Sequence, residues 1–162
     1  MCFLSWSDVA DVIHTVAPVA PLALVIFGWF LVNRQNNRRE SRKETRQLID
    51  RAQGQLSTAV DLATKYQSGT CEDAERHTQG WKLLLALAQV SSGINTLERK
   101  GIDPSSCAER YLALKKCITG ADFMTANWKP WSFDDKRWLE LLAATNALSE
   151  AFEQLFIASF KD

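Results

Sequence analysis

Four cysteines (Cys2, Cys71, Cys107, Cys117) and two histidines (His14, His77) carry the strongest metal-binding and nucleophilic chemistry in this chain. A zinc site needs ligands in close pairs, so that one turn or helix offers two of them together. Here the cysteines are scattered, and no second ligand pair lies near Cys71 and His77. A Cys–His nucleophile would need Cys71 or Cys107 brought onto His77, with a third group to orient the ring. Nothing local supplies that group. No glycine-rich phosphate loop, helical histidine pair or nucleophile elbow is present. The cysteines therefore read as small apolar side chains, and in a reducing compartment they stay thiols. Cys2 lacks the preceding apolar stretch of a bacterial lipoprotein signal. The acidic pairs Glu72-Asp73 and Asp134-Asp135 fall at helix starts, where the macrodipole favours negative charge. The sequence thus predicts no catalytic residue, no metal ligand and no cofactor. It favours a non-enzymatic protein over an enzyme merely tethered to a membrane.

Two other groups of residues suit binding rather than catalysis. Trp128, Lys129, Pro130 and Trp131 pack two tryptophans around a cation and a proline, and tryptophan is enriched at interface hot spots. They are the candidate protein-interaction residues, although in a small domain tryptophan more often serves the core. Arg34, Arg38, Arg39, Arg42, Lys43 and Arg46 form a basic run that suits contact with anionic lipid. Nucleic acid is disfavoured, since Glu40 and Glu44 partly neutralise the run through helical pairs. Asp11 and His14, at the start of the apolar segment that precedes this run, read as solvated side chains rather than as a proton sensor.

The elements that must position these groups begin with residues 12–32. This stretch holds no Asp, Glu, Lys or Arg. A helix of roughly 20 such residues spans about 30 Å of hydrocarbon. A transmembrane helix is therefore expected, kinked or late-starting near Pro18, with Trp6 and Trp29 as interface anchors. No basic residue precedes the segment and no small-residue cleavage site follows it, which disfavours a signal peptide. Because the basic residues come after the span, the positive-inside rule places the N-terminus outside and the C-terminal part in the cytoplasm. The expected localisation is a bacterial inner (cytoplasmic) membrane. The formal net charge of +0 conceals this asymmetry.

Four regions follow: a tail over 1–11, the span over 12–32, a basic-to-amphipathic stalk helix over 33–66, and a helical domain over 67–162. In the stalk, Leu48, Ala52, Leu56, Ala59, Ala63 and Tyr66 share a stripe at helical spacing. Thr70 with Asp73 reads as a capping box for a helix ending near Lys100, with Gly101 as terminator. Its apolar centre, WKLLLALAQV, predicts a place in the middle of the bundle. Asp103-Pro104 would start a third helix carrying Tyr111, Leu112, Leu114 and Ile118 up to Gly120. Ser132 with Asp135 would cap a last helix from Phe133, with Trp138, Leu141, Leu142, Leu148, Phe152, Leu155 and Phe156 as its core stripe. No segment alternates with a strand period. The expected fold is all-α, with the span continuing into the stalk and a small antiparallel helical bundle behind it.

The stretch FGWFLVNRQNNRRESRKETRQLID, Phe27 to Asp50, resembles the membrane exit of many short, uncharacterised bacterial inner-membrane proteins. In these an apolar helix runs into Asn-Asn-Arg-Arg-Glu and then a charged helix. The resemblance covers 24 of the 162 residues and carries no catalytic residue. It implies a single-pass membrane protein. Because such proteins often lie in mobile or prophage-derived regions, it also implies phage defence, exclusion or immunity as a role. The leading expectation is a single-pass membrane protein presenting its bundle for protein–protein interaction. The alternative is a membrane effector or sensor of the defence type. Expected partners are membrane lipid and a protein, either another chain or a second copy.

Overall fold

The computed structural model describes residues 19–70, 73–120 and 122–160. Within them the chain is all-helical: α1 (Val19–Gln67), α2 (Asp73–Arg99), α3 (Ser105–Ile118) and α4 (Arg137–Ser159). It divides into two compact units, Met1–Lys43 and Glu44–Asp162, and α1 contributes to both.

In the first unit α1 is apolar from Val19 to Val32 and polar from Asn33 onward. Pro21 falls in the first turn, where its missing N–H has no helical partner to lose. No helix among the described residues is long and apolar enough to cross a membrane. This corrects the expected transmembrane span, the single-pass topology and the inner-membrane localisation with its outside N-terminus. The physical reason is length. At 1.5 Å per residue the apolar helix from Val19 to Val32 extends about 20 Å, against about 30 Å of hydrocarbon. Asn33 and Arg34 then end the apolar run. The tail over 1–11, the first part of the 12–32 segment, Trp6, Asp11 and His14 lie outside the described residues. Trp29 is exposed on the helix, and the orientation inferred from the arginines falls with the span.

The second unit has a hydrocarbon core built by all four helices. Ile49, Ala52, Leu56, Ala59, Ala63 and Tyr66 bury one stripe of α1. The spacings of three and four keep these side chains on one face. They meet Leu83, Leu87, Val90, Ile94 and Leu97 of α2, Cys107, Tyr111, Leu114 and Ile118 of α3, and Leu141, Leu148 and Phe152 of α4. The alanines let backbones approach: a Cβ on Gly93 of α2 would lie 3.2 Å from the Ala52 Cβ. The Tyr111 hydroxyl ties α3 to α2 by donating to the Leu87 carbonyl at 2.9 Å. Arg46 and Gln53 of α1 both donate to the Glu153 carboxylate of α4, at 2.7 and 2.9 Å.

Helix ends follow local chemistry, with three corrections. Gly101, at φ +78°, stops α2: its N–H bonds the Glu98 carbonyl, and the Ile102 N–H bonds that of Leu97. Pro104 occupies the N-cap position of α3 rather than the first helical position, and Asp103 Oδ1 accepts the Ser105 N–H at 3.0 Å. The last helix opens at Arg137, not Phe133, because Asp135 Oδ1 takes the Arg137 N–H at 3.0 Å. Thr70 is spent on the end of α1, its hydroxyl donating to the Lys65 carbonyl. Burial also departs from the expected stripes. Trp81 and Leu85 of α2, Leu112 of α3 and Leu142 of α4 are exposed, each on the outward side of a helix whose inner face is full.

Candidate interaction site

The Trp128–Trp131 loop folds back onto the end of α1. Gln67, the last residue of α1, is buried and makes three hydrogen bonds, two of them to the loop. Its Oε1 accepts from Trp128 Nε1 at 3.2 Å, and its backbone carbonyl from the Trp131 N–H at 2.8 Å. Its Nε2 donates to the Ile118 carbonyl at 2.9 Å, where α3 ends. Trp128 meets Tyr66 edge-on with centroids 5.3 Å apart, and Phe123 covers another part of the same ring at 5.0 Å. Trp131 is buried and packs edge-on against Trp138 at 4.9 Å. Pro130 lies over Gly69, whose φ of +70° allows the turn; a Cβ there would come within 2.8 Å of the Pro130 Cβ.

The structure therefore brings the four candidate residues together but turns the two tryptophans inward, Trp128 half-buried and Trp131 buried. Lys129 and Pro130 remain exposed. Cations cap the indoles: the Arg76 guanidinium lies 5.0 Å from the Trp128 ring and that of Arg137 lies 4.9 Å from Trp131. Arg137 also holds the Asp135 carboxylate, which pulls the Asp135 pKa down to about 2. Beside the loop lies a cleft of about 230 Å³, whose lining includes Asp122, Asn127, Lys129 and Cys117. Every buried side-chain polar atom among the described residues has a hydrogen-bond partner.

The two described thiols, Cys107 and Cys117, are held in the protonated form. Burial raises the Cys107 pKa to about 11, and burial followed by the nearby Glu140 charge raises that of Cys117. A thiol held protonated is a poor nucleophile and a poor ligand. Both are free, and no group of three or more His, Cys, Asp or Glu among the described residues could hold a metal ion. Cys2 and Cys71 lie outside the described residues.

A second surface stands out on α1. Leu22, Leu24, Val25, Ile26, Phe27, Trp29, Phe30, Leu31 and Val32 are all exposed, from 44% at Leu31 to 72% at Leu24. These positions go all the way round the helix rather than along one stripe. The basic candidates follow directly: Arg34, Arg38, Arg39, Arg42 and Lys43 are exposed, while Arg46 is half-buried and bound to Asp50 and Glu153. The apolar residues of this segment were visible in the sequence; their exposure on every side of the helix was not. Gln67, by contrast, carried no sequence signal, because a polar residue at a helix end ordinarily faces water.

Searches against protein-family models, curated proteins and solved structures found no match for this chain.

Proposed function

We propose that this chain is a non-enzymatic interaction protein, an antiparallel helical bundle that offers the apolar arm of α1 to another protein. The observation that carries this reading is the exposure of Leu22 and Leu24 to Phe27, and of Trp29 to Val32. Apolar surface left in water costs about 25 cal/mol per Å², and contiguous exposed patches of this kind mark association sites. The Trp128–Trp131 loop supports the same reading in a secondary way, with Lys129 and Pro130 as its accessible residues. The described titratable groups with shifted pKa values are committed to ion pairs or buried in the core, which favours a structural over a catalytic role.

Affinity purification of the full-length tagged protein, with mass spectrometry of what is retained, tests this. A stoichiometric protein partner is expected, absent when Leu24, Phe27 and Leu31 are changed to Gln while helical circular dichroism persists. Recovery of the chain alone, or retention of amphiphile with no protein, overturns it.

A further inference from the structure

Met124 has a backbone and a side chain that are both unusual. It is the one non-glycine residue with positive φ among those described, at +57°. A side chain there is strained, and the strain persists only where the surroundings fix it. Two interactions do so. The Met124 N–H donates to the Tyr66 hydroxyl at 3.1 Å, joining the loop to α1. Its thioether lies flat on Gly80 of α2, so closely that a Cβ at that position would be 2.8 Å from Sδ and 2.9 Å from Cγ. Residues 122–131 thus form a strap across the ends of α1 and α2, fixed by Met124 at one end and by Gln67 at the other. Met124 is only half-buried, so part of the residue meets solvent.

We propose that Met124 is a modification site for hydrogen peroxide, and that its sulfoxide releases the strap. In the reaction a sulfur lone pair attacks peroxide. The S–O bond forms, the O–O bond breaks and water leaves; sulfur is oxidised and peroxide reduced. The product is a polar, bulkier group pressed against Gly80, where there is no room even for a methyl on the facing residue. Once the oxidised side chain is pushed off Gly80, the strained backbone relaxes away from the Tyr66 hydroxyl. Trp128 and its neighbours on the strap then become accessible.

The test treats the full chain with hydrogen peroxide and follows tryptophan emission, with peptide mass spectrometry to place the added oxygen. One oxygen on Met124, a red shift of emission and faster proteolysis within 122–131 are expected, all reversed by methionine sulfoxide reductase. Met124→Leu, which keeps the apolar bulk without the sulfur, is expected to show none of these. Equal responses in wild type and Met124→Leu would place the effect outside Met124 and overturn the proposal. So would a mapped Met124 sulfoxide that leaves emission and proteolysis unchanged. Reversal by the reductase in the wild-type protein is decisive even if the leucine variant folds poorly.

Discussion

Gln67 is a buried amide at the end of α1, and both ends of its side chain are used. Replacing it with Leu takes away the partner of the Ile118 carbonyl and of the Trp128 indole N–H. An unsatisfied buried group costs about 1–3 kcal/mol, so Gln67→Leu is expected to lower the urea midpoint by a corresponding amount. Tyr111→Phe removes one buried bond to the Leu87 carbonyl and is expected to cost about 1 kcal/mol in the same measurement. A third expectation concerns acid. Asp135 is held near 2 by Arg137, and Glu153 is lowered by its bonds to Arg46 and Gln53. Both carboxylates ionise more readily folded than unfolded. Their contribution is therefore present above the unfolded pKa values and lost as pH falls through the folded ones. Urea midpoints should decline from about pH 4 toward pH 2, and Asp135→Asn should shrink part of that decline. Both pairs are near the surface, so added salt should weaken the effect.

At the scale of elements, two glycines predict opposite outcomes. Gly54 sits exposed inside α1 with open space where a Cβ would go, so Gly54→Ala should stabilise by about 0.5–1 kcal/mol. Gly69 combines φ +70° with Pro130 packed over it, so Gly69→Ala should destabilise by more than the same change stabilises at position 54. Thermal melts of the two variants decide both. The helices were largely legible because their cues are local. The stripe Ala52, Leu56, Ala59, Ala63 and Tyr66 needs only helical spacing, and Gly101 needs only its own backbone freedom. The facing of α2 was not legible: WKLLLALAQV is apolar on several sides, and only tertiary neighbours decide that Leu83 and Leu87 enter the core while Trp81 and Leu85 do not. The strap was illegible for the same reason. Tyr66 and Gln67 of α1 and Gly80 of α2 are distant in sequence from the strap they hold and meet it only in the folded chain.

For the whole molecule, the decisive contrast is where burial begins along α1. Among residues 21–44 with a described side chain none is buried, whereas from Thr45 onward buried positions recur along the helix. Among the described residues the buried hydrophobic side chains all belong to the Glu44–Asp162 unit. The apolar composition of 12–32 fits the same hydrocarbon signal whether the covering surface is lipid or protein, which is why the sequence alone pointed to a span that the described helix is too short to make. The two readings of the arm, a folding element or a binding element, separate cleanly on truncation. A chain beginning at Glu44 is expected to unfold cooperatively with a urea midpoint close to that of the full chain. Its stability change should be within about 0.5 kcal/mol, the range expected for substitutions away from buried features. The same truncation is expected to abolish association with the partner, because the arm that carries the exposed leucines and phenylalanines is gone. A fall of several kcal/mol with partner binding retained would reverse both expectations, giving the deleted residues 1–43 a part in the fold and placing the docking surface on the bundle.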